Sequence, residues 1–264
     1  MDPKEYLRRI GYDGPLTPTI PTLTQLHSAH LYAVPFENLD IPLGTPIQLS
    51  LPALFDKIVR RRRGGFCYEL NSLFRWLLQE IGFEVQMLSG RVFNGSAPGP
   101  EFDHMLLQVD TERQFVADVG FGDSFIEPLV LSQEVQAQNA DNFRLDKEGD
   151  EWVLFRRKPG ADWEPQYVFS LKPRQIEEFG EMCRFHQTSP ESPFPAKSLC
   201  SLATHEGRVT LSNDRFIVTS RGHREEHAIA GPEEYRNLLR THFGLELSND
   251  VDAATLLAPG RRAR

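Results

Sequence analysis

The chain has few cysteines, no long apolar run and no excess of positive charge, and each shortage excludes a class of protein. Its three cysteines among 264 residues are odd in number and far apart, which favours reduced thiols over a disulfide framework. No apolar run approaches the ~18 residues of a membrane-spanning helix, and residues 1–5 do not have the pattern of a signal peptide. The net charge of −8 argues against nucleic acid as the main partner. We therefore expect a cytoplasmic protein that binds neither nucleic acid nor a membrane.

The spacing of apolar residues divides the chain into three parts. Hydrophobic residues make up 40% of the sequence, too many for a disordered protein. Their periodicity is helical over residues 1–82, strand-like over residues 83–172 and mixed over residues 173–264. A length of 264 residues is compatible with three domains, one for each part.

The first part is predicted to form four helices. One starts at Asp2 with a proline at its first position and ends near Gly11. The second ends before Pro35, and the third starts at Ser50 and stops at Gly64. The fourth runs from Cys67 towards Gly82.

The second part contains six short runs of β-branched, aromatic and other apolar residues, separated by turn residues. Such a series suggests a small barrel. The runs are residues 85–87, 90–93, 105–107, 115–117, 152–155 and 167–169. In the third part we predict a helix over 176–183, hairpin strands over 204–211 and 215–218, and a closing helix from Pro232 to Gly244.

Cys67 occupies a position that suits a nucleophile. Two glycines come just before it, and apolar residues recur at helical spacing from Leu70 to Ile81. A thiol at the start of a helix faces unpaired N–H groups and the positive end of the helix dipole. Both features favour the thiolate, which is the reactive form of cysteine.

His104 and Asp118 could activate this thiol. Each lies in a short strand-like run, and a polar turn separates the runs. If the runs pair as a hairpin, the imidazole and the carboxylate come side by side. The carboxylate would then orient the imidazole, and the imidazole would take the thiol proton. The spacing alone leaves open a small buried cysteine, a core histidine and an aspartate that caps a turn.

Six motifs contain or flank these residues: 35–39, 63–71, 104–107, 118–122, 189–194 and 197–202. Together they resemble the motifs of one enzyme family, the arylamine N-acetyltransferases. The similarity extends from about residue 6 to about residue 244, with the motifs in the expected order and no departure at the three triad positions.

The resemblance implies an α+β fold with a core related to papain-like cysteine enzymes. A helical bundle (1–82) would carry the nucleophile, a β-barrel (83–172) would carry the histidine and aspartate, and an α/β lid (173–264) would follow. It also implies that Cys67 accepts an acetyl group from acetyl-coenzyme A. An arylamine, hydrazine or N-hydroxyarylamine would then take the acetyl group, in a substituted-enzyme mechanism.

Substrate-binding residues follow from the same resemblance. Phe36 and Phe194 are candidates for the acceptor pocket by family position, although ordinary core aromatics are an equal alternative. Gly120 and Gly122 would let the backbone approach a ligand closely, and Phe121 between them would face the cleft.

Two other functions remain open from the sequence. A related amide synthase, which closes a polyketide macrolactam from a carrier protein, would share the triad and differ in its pocket. A relative without activity could serve as a binding module. His223 and His227 have the spacing of metal ligands on a helix, but no second pair accompanies them, so we expect no metal. We expect Arg63 and Glu37 to form a structural ion pair, and the sequence does not indicate an oligomeric state.

Overall fold

The computed structural model describes residues 1–259. Residues 260–264, the end of the predicted third domain, lie outside the described residues. The chain forms two compact units. The first comprises residues 1–11, 31–66 and those from 180 onward, and the second comprises residues 12–30 and 67–179. The predicted boundaries at residues 82 and 172 remain a prediction.

Helices and strands are both abundant, as the α+β prediction requires. The helices are α1 (Pro3–Ile10), α2 (Ile20–Ala33), α3 (Asp40–Leu43), α4 (Leu51–Phe55), α5 (Cys67–Ile81), α6 (Gly180–Thr188), α7 (Pro232–Phe243) and α8 (Ala254–Leu257). A π-helical turn, Asp56–Arg60, continues α4, and a 3₁₀ turn, Ile176–Phe179, precedes α6 in the sequence. Within residues 1–259, none of these helices combines the length and apolarity needed to cross a membrane.

The strands form two antiparallel sheets, one in each unit. They are β1 (Phe36–Glu37), β2 (Glu84–Asn94), β3 (Ala97–Pro98), β4 (His104–Asp110), β5 (Gln114–Ala117), β6 (Leu129–Val130), β7 (Gln136–Gln138), β8 (Asp141–Glu148), β9 (Glu151–Arg157), β10 (Glu164–Ser170), β11 (Leu199–Thr204), β12 (Gly207–Ser212), β13 (Arg215–Ser220) and β14 (His223–Ala228).

The predicted helix boundaries are confirmed where local chemistry sets them. The Asp2 side chain caps α1 by accepting a hydrogen bond from the Lys4 backbone N–H at 2.9 Å, and Gly11 ends the helix with φ of 68°. The third predicted helix is shorter than expected. Ser50 is at its N-cap but makes no side-chain capping bond, and the chain passes into the π-helical turn after Phe55.

A nearly closed β-barrel forms in the second unit, which confirms that prediction. Its strand order is β6-β5-β4-β2-β10-β9-β8-β7, with β3 paired to β2. All six predicted runs lie in its strands, and the first two form the single long strand β2. The prediction missed β8, because Phe143 and Leu145 are its only buried side chains and the other positions are polar or charged.

Two glutamines of β7 join the open edges of this barrel at a seam. Gln136 Oε1 accepts a hydrogen bond from the Val130 N–H at 2.8 Å, and its Nε2 donates to the Val130 carbonyl at 2.9 Å. Gln138 accepts from the Ile126 and Glu127 N–H groups, both at 2.9 Å. Side-chain amides therefore replace backbone ladder bonds at the seam.

The sheet of the first unit has the order β1-β11-β12-β13-β14. The predicted hairpin of residues 204–211 and 215–218 is confirmed as β12 and β13, but its first strand begins at Gly207, because a turn at His205–Glu206 separates β12 from β11. The glycine that follows the turn was the missed signal. The closing helix α7 is confirmed, since it begins at Pro232 and is capped by Gly244 in the left-handed conformation.

The first unit also contains a buried ionic cluster, which includes the expected ion pair. Arg63 Nε donates to Glu37 Oε1 at 2.8 Å, and Arg63 Nη2 donates to Asp40 Oδ1 at 2.9 Å. Lys57 Nζ lies 2.8 Å from Asp40 Oδ2. Burial raises the pKa of Asp40, but the positive charges of Lys57 and Arg63 outweigh it, so that the pKa falls below its usual value. Two carboxylates and two cations thus satisfy one another away from water.

Replacing Arg63 with Gln should destabilise the protein by about 3–5 kcal/mol, because the Glu37 carboxylate would stay buried without its cation. The free energy of unfolding in urea measures this. Arg61→Gln is the matched control, since Arg61 pairs with Asp56 at 2.9 Å while both side chains are at least half exposed. That change should cost less than about 1 kcal/mol, and equal losses for the two variants would contradict the prediction.

Candidate active site

Helix α5 holds the candidate nucleophile at its first residue. Cys67 is 5% exposed, and the helix behind it is anchored by apolar side chains that have no exposed surface. They are Leu70, Leu73, Phe74, Leu77 and Leu78. The thiol is therefore fixed at a helix start, where the first N–H groups have no partner within the helix.

The predicted hairpin between the strands of His104 and Asp118 is confirmed. Strands β4 and β5 pair antiparallel, with Leu107 opposite Ala117. His104 is the first residue of β4, and Asp118 comes directly after the last residue of β5. The hairpin therefore places both side chains at the same end of the two strands.

The three predicted residues lie together in the second unit. His104 Nε2 donates to Asp118 Oδ2 at 2.7 Å, and their side chains are 3% and 0% exposed. The Cys67 sulfur is hydrogen-bonded to His104. Because Nε2 is taken by the carboxylate, Nδ1 is the ring nitrogen left to face the sulfur. One imidazole therefore bridges a thiol and a carboxylate away from solvent.

The Asp118 carboxylate is satisfied at both oxygens. Its Oδ1 accepts hydrogen bonds from Asn71 Nδ2 and the Gly120 N–H, both at 2.9 Å. Burial raises the pKa of Asp118, but the charge and hydrogen bond of His104 and these two donors together lower it. The group is thus held as a carboxylate despite its complete burial.

His104 is held in its protonated form by the groups on either side. Burial lowers the pKa of His104, but the charge of Asp118 and its hydrogen bond, together with Cys67, raise that pKa to about 10. An imidazolium beside the sulfur stabilises the thiolate. The arrangement therefore places a sulfur nucleophile and a proton donor together in one buried cluster.

Asn71 was missed by the sequence analysis. It lies one helical turn after Cys67, so both side chains project from the same face of α5. Asn71 Nδ2 donates to the Met105 carbonyl at 2.7 Å as well as to Asp118, and its Oδ1 accepts from the Val119 N–H at 3.0 Å. Its amide thus joins the nucleophile's helix to β4 and to the turn after β5. An asparagine on the apolar face of a helix was the available signal, since a buried amide requires partners.

Gly120 is required for close packing beside the nucleophile. A Cβ atom at this position would lie 2.7 Å from both Cys67 Cα and Asn71 Nδ2. The backbone at Gly120 therefore packs closely against helix α5. Gly122 has φ of 91°, a conformation that side chains rarely permit.

Phe121, between these glycines, contacts the histidine of the triad. The rings of Phe121 and His104 meet edge to face with centroids 5.2 Å apart. Tyr167, which the sequence analysis did not select, completes an aromatic group, at 5.2 Å from His104 and 5.1 Å from Phe121. The rings of Phe121 and Tyr167 therefore pack on the imidazole and shield it from solvent.

Phe36 and Phe194 belong to the first unit. Phe36 lies on β1 opposite Ser201. The ring of Phe194 packs edge to face against Phe66 at 6.0 Å and His186 at 5.1 Å. Their role in acceptor binding remains a prediction.

The other two cysteines have different surroundings. Cys200 is fully buried in β11, and burial, followed by the charge of Glu37, raises its pKa well above the usual value. Cys183 is buried on α6, and its sulfur accepts a hydrogen bond from Gln187 at 3.3 Å. Across residues 1–259, no cluster of three or more His, Cys, Asp and Glu side chains is placed to hold a metal ion.

Comparison with known proteins gives one consistent result. Residues 19–251 match the sequence model of a family described as N-acetyltransferase. Arylamine N-acetyltransferase 2 of Mus musculus is 38% identical, over 95% of this chain and 96% of the mouse protein. The structure of the M. smegmatis arylamine N-acetyltransferase is 34% identical and matches with a TM-score of 0.91, covering 98% of both chains. The Mycobacterium marinum enzyme, solved in complex with CoA, is 33% identical, with a TM-score of 0.88 and 97% of both chains covered.

The raised pKa of His104 predicts how stability depends on pH. The group binds its proton more tightly in the folded than in the unfolded chain, so its contribution is complete below the unfolded pKa of about 6.5. That contribution should be lost as the pH rises towards about 10. The difference in unfolding free energy between the wild type and His104→Gln should therefore shrink between pH 6 and pH 10, by about 1 kcal/mol per unit.

Urea unfolding at a series of pH values measures this difference. His223→Gln serves as the control, because His223 is an exposed residue of β14, and its difference from the wild type should stay flat. A difference for His104→Gln that grows with pH would show that the histidine is not held as an imidazolium.

Proposed function

The chain belongs to the arylamine N-acetyltransferase family, and from that premise we propose that it acetylates amines through an acetyl-Cys67 intermediate. The bridging position of His104, bonded to Cys67 on one side and to Asp118 on the other, is the observation that carries the proposal. A cysteine triad needs this order of contacts, because the carboxylate orients the base and the base activates the thiol.

In the first half-reaction the Cys67 thiolate attacks the thioester carbonyl of acetyl-coenzyme A. The new carbon–sulfur bond gives a tetrahedral intermediate with a negative carbonyl oxygen, and the bond to the coenzyme sulfur breaks when this intermediate collapses. The departing thiolate takes the proton of the His104 imidazolium and leaves as coenzyme A. The backbone N–H of Cys67, at the start of α5, supplies one donor to the oxyanion of the tetrahedral intermediate.

In the second half-reaction the amine attacks the acetyl-cysteine. Neutral His104 takes a proton from the amine nitrogen, and the Cys67 thiolate leaves as the carbon–nitrogen bond is completed. Asp118 holds the tautomer of His104 and stabilises the imidazolium that forms again. Aromatic amines suit this step because their low basicity leaves them neutral and nucleophilic near pH 7.

The acetyl donor and the acceptor are supported separately. A relative solved in complex with CoA supports acetyl-coenzyme A as the co-substrate. For the acceptor, we propose that Phe121, presented by Gly120 and Gly122, forms a wall of the pocket, and we keep Phe36 and Phe194 as further candidates. The three cysteines form no disulfide with one another, in keeping with a cytoplasmic location.

Cys67→Ser should fold normally and lose transfer activity by several orders of magnitude, because a serine hydroxyl is far less ionised than this thiol. Incubation with acetyl-coenzyme A should add one acetyl group to the wild type and none to the variant. Intact-protein mass spectrometry measures the addition, and peptide mapping locates it.

Cys183→Ser and Cys200→Ser are the matched controls, since both thiols are buried. Each control should accept one acetyl group on Cys67, as the wild type does. Acetylation found on Cys183 or Cys200 instead would make the assignment of the nucleophile wrong.

The substituted-enzyme mechanism predicts parallel double-reciprocal lines when acetyl-coenzyme A is varied at several arylamine concentrations.

Phe121→Ala should raise the KM for the arylamine by about tenfold and leave acetylation of Cys67 intact, because the ring shapes the pocket without a chemical role. Trp163→Ala is the control, since its ring packs against Arg144 and Arg157, and both parameters should remain unchanged.

The macrolactam-forming amide synthases would give a different outcome. For such an enzyme, acetyl-coenzyme A would leave Cys67 unmodified, and a carrier-protein thioester would acylate it. That result would overturn the acetyltransferase proposal while keeping the same triad. A chain that neither thioester acylates would be a binding relative without activity.

A further inference from the structure

A second buried histidine contacts the triad aspartate through its main chain. His27 lies on α2 and has no exposed surface. Its Nε2 accepts a hydrogen bond from the Asp118 backbone N–H at 3.0 Å. On the other side of the ring, Nδ1 lies 2.7 Å from the Ile126 carbonyl oxygen. The mechanism proposed above does not use this residue.

These two contacts fix both the charge and the tautomer of His27. A backbone N–H can only donate and a carbonyl oxygen can only accept. Nε2 must therefore carry its lone pair towards Asp118, and Nδ1 must carry the proton that it donates to Ile126. Protonation of Nε2 would set one N–H against another, so the ring is neutral in this arrangement.

The surroundings of the ring support the neutral form. Phe125 stacks on it at 5.7 Å between centroids, and Phe74 meets it edge-on at 5.9 Å. Burial lowers the pKa of His27 to about 4, against the opposing effects of the Ile126 carbonyl and of Asp118. The imidazole thus offers the same single acceptor and single donor throughout the neutral pH range.

Asp118 has a particular need for this acceptor. The pairing of β5 with β4 ends at Ala117, so the Asp118 N–H lies just beyond the ladder. The two carboxylate oxygens are already taken by His104, Asn71 and Gly120. His27 is therefore the partner recorded for the main chain of Asp118, while the other three hold its side chain. Without such a partner a buried N–H costs about 1–3 kcal/mol.

The same ring holds both ends of the segment that shapes the acceptor side. Asp118 begins this segment and Ile126 ends it, with Phe121 between them. We propose that His27 is a positioning residue of the acyl-transfer site, acting as a neutral clamp that fixes the Asp118 main chain and the 118–126 segment. This inference rests on the proposed function. A neutral clamp also places no second positive charge beside Asp118, so the full charge of the carboxylate acts on His104.

Two substitutions separate the two bonds of His27. The amide of Asn occupies the place of Nδ1, so His27→Asn keeps a donor for the Ile126 carbonyl and removes the acceptor of the Asp118 N–H. The amide of Gln reaches the place of Nε2, so His27→Gln keeps that acceptor and loses the donor. Both variants lose the stacking on Phe125 and should lose similar stability in urea. They differ only in which bond survives.

We expect single-turnover acetylation of Cys67 to slow about 10–100-fold in His27→Asn and less than about threefold in His27→Gln. In His27→Asn the misplaced carboxylate stabilises the imidazolium less, so the alkaline limb of the pH–rate profile should move to lower pH. In His27→Gln that limb should stay in place. A merely structural loss would lower both rates in step with stability and would not move the pH limb.

Alkylation of Cys67 by iodoacetamide gives the same comparison without acetyl-coenzyme A. If the wild type failed to accept acetyl groups, the proposed function would fail, while the contrast in alkylation rate would still test the clamp. Equal rates in the two variants, or a slower His27→Gln, would overturn the inference. If neither variant folds, ¹⁵N NMR of the histidine rings in the wild type shows which ring nitrogen of His27 carries the proton. A His27 protonated at Nε2 would be incompatible with the clamp, and one protonated only at Nδ1 supports it.

Discussion

The arrangement of the active site follows from burying one negative charge. Asp118 has a side chain with no exposed surface, and a carboxylate without water must find hydrogen-bond donors or lose its charge. His104, Asn71 and the Gly120 N–H are those donors, and each belongs to a different part of the second unit. The position of helix α5, the end of β4 and the turn after β5 are therefore set together. The position of Cys67 relative to Asp118 is fixed because the same helix carries Asn71, one turn after Cys67.

The two units solve the problem of buried carboxylates in different ways. In the first unit Glu37 and Asp40 are neutralised by the cations Arg63 and Lys57. Around Asp118 the donors other than His104 are an amide and a backbone N–H, both neutral. A fixed cation beside Asp118 would compete with His104 for the carboxylate and would lower the affinity of His104 for a proton. The ionic cluster serves stability, whereas the neutral one leaves the charge of Asp118 to a histidine that must gain and lose its proton.

Residues whose signal is local could be predicted, and those that depend on distant partners could not. Cys67 is preceded by glycines and followed by a helical pattern, so both its position and its chemistry can be read from adjacent residues. His104 and Asp118 come from a hairpin with a short turn, which is also local. Asn71 and His27 have partners far along the chain, at Met105 and Ile126 among others. The neighbouring sequence does not distinguish a buried polar side chain that positions a triad from one that merely has hydrogen-bond partners in a core.

The glutamine seam of the barrel has a consequence for motion. Elsewhere neighbouring strands are joined by backbone ladders, but at the seam the N–H groups of Ile126 and Val130 depend on single side chains. A change of rotamer at Gln138 or Gln136 would free them, so we expect their amide hydrogens to exchange with solvent before those of the central strand β4. The Ile126 carbonyl is also the anchor of His27. Because both depend on Ile126, we expect opening of the barrel edge to loosen the segment that presents Phe121 and to admit solvent to it without global unfolding.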